Sequence, residues 1–352
     1  MKITYMRLRE DFDSINKQTL NSFYKDSDKE TDLFIYPELN AIIVRNPSKS
    51  VKKFLYTEYS VSGSIFKRIA VWCYIRLLLN SFGLMAESKI RQKGEINSNT
   101  LIYPCNKKYR IFDFESNTVT VVTKSGFPNS AIKQEIEFRT NHKADFILPL
   151  KDFKENQYTE KIIDGVPLAR IKKDREKYIE SADKLWREYC AQYEKKVSPN
   201  KYLEYMEKSL EDKLGILCTN TDEETMLKLS NIIGTLSSKI SAFDSDITLT
   251  LSHGDLQPGN IWVENVTDKV YIIDWESALL RSVWYDEVLL YEGLRMPGGL
   301  KKLFELKHSL RKYVLILEEL LYRLDDVCCL PSDIRGKTLD GIAKDFDVSN
   351  IK

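Results

Sequence analysis

The chain has 352 residues, 43% hydrophobic and 30% charged, with a formal net charge of +1. That length buries at least one sizeable core, and domains of roughly 100–200 residues make two lobes a natural division. The composition excludes a disordered or fibrous chain, and the near-neutral charge gives no overall attraction to nucleic acid or an anionic membrane. Six cysteines, Cys73, Cys105, Cys190, Cys218, Cys328 and Cys329, lack both C-x-x-C spacing and the density of a secreted disulfide scaffold. Reduced thiols and a cytoplasmic location are therefore expected. Arg7, Arg9, Glu10, Asp11 and Asp13 interrupt any apolar signal core near the N-terminus, so no export signal is expected.

Residues 1–99 mix short apolar runs, Leu33 to Tyr36 and Ala41 to Val44, with one longer apolar stretch, and read as an N-terminal extension of unknown role. The stretch from Ile65 to Ala86 contains Lys67, Arg68 and Arg76, whereas a spanning helix needs about 20 largely uncharged residues. It reads as an amphipathic or core helix, with a membrane-surface helix as the alternative and no stable insertion.

Residues 100–166 read as a small β-rich lobe. Lys108 to Phe114 and Thr118 to Lys124 are β-prone runs joined by Glu115-Ser116-Asn117, and Leu101 to Pro104 supplies a strand before them. After Gly126 and Pro128, Asn129 or Ser130 can cap a helix with Ile132 and Ile136 on one face. Strands are expected near Phe146 to Leu150 and Tyr158 to Ile163, giving the order β-β-β-α-β-β. Residues 167–330 are mainly helical, with apolar spacing of helical period in Ile171 to Val197, Lys201 to Leu214 and Glu223 to Phe243. Asn260 to Glu264 and Lys269 to Asp274 insert a hairpin, helix returns from Asp286 to Leu324, and residues 331–352 read as a loosely held tail. The expected fold class is α+β, two-lobed and protein-kinase-like.

The most informative segment runs Leu249-Thr-Leu-Ser-His253-Gly-Asp255-Leu-Gln257-Pro-Gly-Asn260-Ile261, followed by Val270-Tyr-Ile-Ile-Asp274-Trp-Glu276. Phosphoryl transfer asks little covalent chemistry of a protein but much positioning and charge compensation. One carboxylate must stand at the acceptor hydroxyl. An amide oxygen and a second carboxylate must hold magnesium, a hard ion that takes few protein oxygens and keeps several waters. Asp255, Asn260 and Asp274 supply that set. A loop spaces the first two five residues apart, and a hairpin returns Asp274 beside Asn260.

These residues resemble the H-G-D-x-x-P-x-N and I-D-W/F-E motifs of the aminoglycoside phosphotransferase and choline kinase superfamily. The resemblance spans roughly Leu101 to Leu324, closely at Ser252 to Glu276 and by element order elsewhere. It implies ATP and magnesium as cofactors, Asp255 as catalytic base, Asn260 and Asp274 as magnesium ligands and His253 as organiser of the loop. Gln257 and Glu276 are implied as supporting residues. Trp284-Tyr285-Asp286 is similar to the family's Y-D segment, whose aspartate braces the catalytic region. In the small lobe Lys124 stands where this fold places its phosphate-binding lysine, Glu135 is its candidate partner, and Ile163 and Asp164 lie in the implied hinge, Ile162 to Val166, whose backbone receives adenine.

Three departures separate the chain from protein kinases: no glycine-rich flap at Cys105 to Tyr109, Gly254 in place of the arginine of H-R-D, and Glu276 in place of the glycine of D-F-G. The implied acceptor is thus a hydroxyl of a small molecule, a sugar, amino alcohol or aminoglycoside-like compound. Acids and bases are balanced from Asp286 to Lys352, which gives a polycationic acceptor no support over a neutral one such as a sugar. The alternative is a catalytically weak, kinase-like nucleotide-binding module. His142 and His308 read as incidental, and Trp262, Trp275 and Trp284 as packing residues.

Overall fold

The computed structural model describes residues 12–24, 29–59, 64–105, 107–218, 221–330, 332–347, 349 and 351. They fall into two units, residues 1–136 with 149–163, and residues 137–148 with 164–352. Among the described residues no helix is long and apolar enough to cross a membrane.

The first unit is built on one antiparallel sheet. Its strands are β1 (Glu30–Tyr36), β2 (Ala41–Val44), β3 (Ser88–Lys93), β4 (Thr100–Pro104), β5 (Lys108–Asp113), β6 (Thr118–Thr123), β7 (Leu150–Lys154) and β8 (Gln157–Lys161), in the spatial order β3-β1-β2-β4-β5-β6-β8-β7. The expected β4-β5-β6 core is present, with the β5–β6 turn closed by the Asp113 carboxylate accepting from the Glu115 N–H at 3.0 Å.

Two expectations change here. The first hundred residues are no separate extension, because β2 pairs with β4 through Ile42 and Ile43 and carries β1 and β3 into the same sheet. Helix α1 (Phe12–Phe23) packs Leu20 into the core formed by Leu33, Ile35, Ile42, Ile102 and Tyr109. Helices α2 (Lys49–Tyr59) and α3 (Ile65–Asn80) pack Val51, Leu55, Ile75, Leu78 and Leu79 against Tyr36, Ile43 and Leu101. The strand expected over Phe146 to Leu150 also shifts. Phe146, Ile147 and Leu148 are buried, Phe146 and Ile147 in the core of the second unit, where the Ile272 N–H bonds the Phe146 carbonyl at 2.9 Å, and β7 starts only at Leu150. An apolar run between elements is ambiguous by periodicity alone, and here packing decides it.

Helix α4 (Ser130–Asn141) begins in the first unit, where Ile132 and Ile136 pack on Val121 and Tyr158. The second unit continues with β9 (Gly165–Pro167), α5 (Arg175–Cys190), β10 (Lys195–Val197), α6 (Pro199–Leu217) and α7 (Glu223–Ser241). Then come β11 (Ile247–Ser252), β12 (Ile261–Glu264), β13 (Val270–Ile272) and β14 (Leu279–Ser282). After β14 a short helical segment, Tyr285–Glu287 continued by Val288–Glu292, leads to α8 (Gly299–Glu305), α9 (Leu310–Cys328) and α10 (Ser332–Asp345). Side-chain caps start the long helices as their sequences dictate: Ser198 accepts from the Lys201 N–H, Asp222 from Thr225 and Ser309 from Lys312.

Helix α9 is the axis of this unit, buried along most of its length against α6, α7 and α10. The last segment is therefore no loose tail, since Leu339, Ile342, Ala343 and Phe346 lie in the same core. Strands β12 and β13 form the expected hairpin, with β9 on the outer edge of β12. A second small sheet, β10-β11-β14, also belongs to this unit; β11 leads into the loop before β12, and β14 follows the turn after β13.

Candidate active site

The loop between β11 and β12 is shaped first by its glycine. Gly254 has φ +77, and a Cβ there would come within 2.3 Å of the Ser277 carbonyl and of the Arg281 guanidinium, so both backbone and space demand glycine. Asp286 fixes the start of this loop from below. Its Oδ1 accepts from Ser252 Oγ at 3.0 Å and the Gly254 N–H at 3.1 Å, and its Oδ2 from the His253 N–H at 2.7 Å and Trp186 Nε1 at 2.8 Å. Four donors on one buried carboxylate leave it little freedom to move.

His253 is fully buried and ties the loop to the hairpin. Its Nδ1 accepts from the Asp255 N–H at 3.1 Å, which puts the ring proton on Nε2, 2.9 Å from the Ile273 carbonyl that accepts it. Burial lowers its pKa, outweighing the nearby Asp286, Asp255 and Asp274, so the ring is held neutral. Trp275 lies beneath, stacked on Phe138 at 4.5 Å and bonded through Nε1 to the Ile272 carbonyl. Both are packing and positioning groups, as the sequence suggested for tryptophan.

The Asp255 side chain is 22% exposed and is gripped by three others. Gln257 Nε2 and Arg295 Nη1 donate to its Oδ1, while Asn260 Nδ2 donates to its Oδ2 at 2.8 Å and to its main-chain carbonyl at 2.8 Å. With its amide nitrogen committed to Asp255, Asn260 turns its side-chain oxygen the other way. The Ile273 N–H bonds the Asn260 carbonyl at 3.0 Å, one step beyond the Ile261–Ile272 pair, so the ladder itself carries Asp274 to the neighbourhood of Asn260. Asp274 holds φ +65, a costly conformation for a non-glycine residue that recurs at functional sites. Glu276 follows in the single helical turn Trp275–Ser277 and is half-buried. Among the described residues no three His, Cys, Asp or Glu are arranged to hold a metal ion. An amide and one carboxylate nevertheless fit magnesium, which takes one or two protein ligands with phosphate oxygens and water.

In the first unit Lys124 follows the last residue of β6 and is buried, its Nζ 5.0 Å from the centre of the Tyr109 ring. Glu135 is also buried, on α4. A cavity of about 150 Å³ opens at Lys124, lined also by Thr19 and Phe23 of α1 and by Asn129 and Gln157. The Thr19 hydroxyl accepts from the Ser125 N–H at 2.8 Å, so α1 borders this recess, a role no motif in the first hundred residues announces. Ile163 is the last residue of the first unit and Asp164 the first of the next stretch of the second, where Asn265 engages both its carboxylate and its carbonyl.

Sequence reasoning missed Arg295 altogether. Its guanidinium reaches Asp255, the Gly254 carbonyl at 2.7 Å and Tyr285 Oη at 2.9 Å, lies over the Tyr322 ring at 3.2 Å, and has Nε 3.5 Å from Glu319. Glu319 is buried and also accepts from Tyr285 Oη at 2.9 Å and Arg323 Nε at 2.9 Å. No local signal marks Arg295, which sits between Leu294 and Met296 in a turn.

A β-rich unit with a buried lysine at a strand end and a helical unit with this loop and hairpin make up a protein of the α+β class. No family model matches the chain, and no curated protein sequence does. The solved structures similar to it include the ethanolamine kinase of Plasmodium vivax, 13% identical over 85% of this chain and 94% of that one, with a TM-score of 0.42. A GDP complex of aminoglycoside 2'-phosphotransferase-IIIa is 16% identical over 78% and 97%, with a TM-score of 0.44. The choline kinase of Cryptosporidium parvum is 11% identical over 72% and 89%, with a TM-score of 0.40.

Proposed function

We propose that the protein transfers the γ-phosphate of ATP to a hydroxyl group of a small molecule. The observation that carries this reading is the environment of Asp255. Its carboxylate is held in place by Gln257, Asn260 and Arg295 while remaining partly open to solvent. In that setting Asp255 accepts the hydroxyl hydrogen of the acceptor and aims its oxygen at the phosphorus, as phosphoryl transfer requires. Asn260, through its outward amide oxygen, and Asp274 would hold magnesium. When bound, that ion offsets phosphate charge. Lys124 provides the phosphate contact in the first unit, with Glu135 as its partner, and the backbone at Ile163 and Asp164 receives the adenine ring. His253 and Asp286 do no chemistry in this scheme, since all their polar atoms named above are spent on the loop.

The base and the metal ligand fail differently when their charge is removed. Asp255→Asn is expected to leave Mg-ATP binding nearly intact and to lower turnover by roughly 10²–10⁴-fold. Asp274→Asn is expected to lower both, with higher magnesium restoring part of the binding. Calorimetry with ATP across a magnesium titration, alongside a phosphate-transfer screen over sugars, amino alcohols and aminoglycosides, reads both. Equal loss of Mg-ATP binding in the two variants, full turnover in either, or no magnesium-dependent nucleotide binding at all would refute the assignment.

A further inference from the structure

Helix α3 is mainly apolar, broken by Lys67, Arg68 and Arg76, and only one side of it is packed. Ile75, Leu78 and Leu79 point into the first unit's core with Val51 and Leu55 of α2. The opposite face carries Ile65, Phe66, Ile69, Cys73 and Leu77 at helical spacing, with Arg76 among them, and all are exposed, Phe66 to 80%. The turn after the helix extends the patch with Phe82, Leu84 and Met85, Leu84 being 87% exposed. An apolar helix face and an apolar turn side by side on one surface mark an interaction site rather than scattered exposed residues.

The charges around this patch are mostly basic, with Glu58 and the exposed Glu87 just after the turn as the nearby acids. From Leu39 to Ala86 the chain carries Arg45, Lys49, Lys52, Lys53, Lys67, Arg68 and Arg76 against the single acid Glu58, although the whole chain is nearly neutral. Several are anchored at the patch itself. Arg76 lies over the Trp72 ring at 5.0 Å, Lys52 donates to Asn80 at the end of α3 at 2.8 Å, and Arg45 donates to the Phe82 carbonyl in the turn at 3.0 Å. Trp72 and Tyr74 on the same helix are also part-exposed, at 39% and 46%.

We infer that α3 and the turn after it dock this protein on the surface of an anionic lipid bilayer, lying in the interfacial plane without crossing it. Aliphatic and phenyl side chains enter the acyl boundary, tryptophan and tyrosine rings suit the headgroup level, and lysine and arginine reach lipid phosphates while their stems stay apolar. Other occupants fit worse. A second copy of the chain packed through the same face would set Arg76 and its basic neighbours against themselves. A nucleic acid would use the charges but leave Ile65, Ile69, Leu77 and Leu84 in water.

The test is co-sedimentation of the full chain with vesicles of phosphatidylcholine alone and of phosphatidylcholine mixed with phosphatidylglycerol, at low and high salt. The expected result is partition onto the anionic vesicles at least about tenfold above the neutral ones, weakened by salt, because the electrostatic share is screened. A blue shift of the tryptophan emission is expected to accompany it. Phe66→Asp with Leu77→Asp, and separately Lys67→Glu with Arg68→Glu and Arg76→Glu, should each abolish partition while Mg-ATP binding and thermal unfolding stay unchanged. Equal partition on both vesicles, none on either, or partition untouched by the variants overturns the inference. So does a concentration-dependent dimer that Phe66→Asp dissolves in the absence of vesicle binding, which would give the face to a second copy.

Discussion

Asp255 receives three side-chain donors, two from two and five residues away and one from forty residues on. That difference explains what was legible. Asp255, Gln257, Asn260 and, through a short hairpin, Asp274 stand in one segment, where local spacing fixes local geometry. Arg295 reaches the same carboxylate only because Glu319 and Tyr322 of α9 and the buried Tyr285 hold its guanidinium, and tertiary packing of that kind leaves no trace in spacing. The arginine's fork and flat face are both used, so lysine is no substitute: it offers one point charge where Gly254, Asp255 and Tyr285 are met by separate N–H groups. Arg295→Lys is therefore expected to lower kcat by about 10–100-fold through misplacement of Asp255, with KM for ATP and magnesium dependence unchanged. Steady-state kinetics with a hydroxyl acceptor measures it. A rise in KM for ATP with kcat unaltered would mean that Arg295 does not act through Asp255.

At the scale of elements, the sequence reading succeeded where periodicity is long and capped, as in α6, α7 and α9, and where a turn joins two β-prone runs, as in β5 and β6. It could not see that β1, β2 and β3 belong to the same sheet as β4, because strand neighbours are chosen by long-range pairing and not by the strands' own residues. β11 and β14, on either side of the motif in the chain, were missed, although β11 is as long as β5 and β6. The error over the last segment has a different origin. Leu339, Ile342, Ala343 and Phe346 stand at i, i+3, i+4 and i+7, the spacing of a packed helical face, yet the polar residues around them disguised it. In the structure Phe346 is fully buried, edge-on to Phe304 and beneath the Arg323 guanidinium, which in turn holds Glu319. Replacing Leu339 by Ala is expected to destabilise the fold by about 2–5 kcal/mol, the range for a buried leucine. Urea unfolding reads this directly, and a change below about 0.5 kcal/mol, typical of surface positions, would return the segment to the status of a tail.

For the molecule as a whole, the class α+β and the β-rich and helical units were readable from the order of elements, whereas the balance of buried charge was not. Glu318 lies at the centre of α9, 1% exposed, accepting from the Ser282 N–H at 2.6 Å and the Ser282 hydroxyl at 2.7 Å. Burial raises its pKa from 4.5 to about 7, and the Ser282 donors only partly oppose this. Between those values the folded chain keeps a proton that the unfolded chain releases, so this group makes folding less favourable as pH rises through the window. The whole effect is about 3 kcal/mol, because a tenfold change in proton affinity is worth ~1.4 kcal/mol. His253 acts in the opposite sense, because its lowered pKa leaves it neutral when folded, and acid below its ordinary value of 6.5 favours the unfolded chain. The two partly cancel in the wild-type profile, so only a difference between proteins isolates Glu318. Glu318→Gln removes the titration and keeps an acceptor for the Ser282 N–H. Unfolding free energies of wild type and variant, measured by urea across this window, are expected to diverge in the wild type's favour as pH falls from about 7 toward 4.5. Parallel profiles would mean that Glu318 is ionised in the fold at neutral pH, with its charge compensated by Ser282 and Arg281.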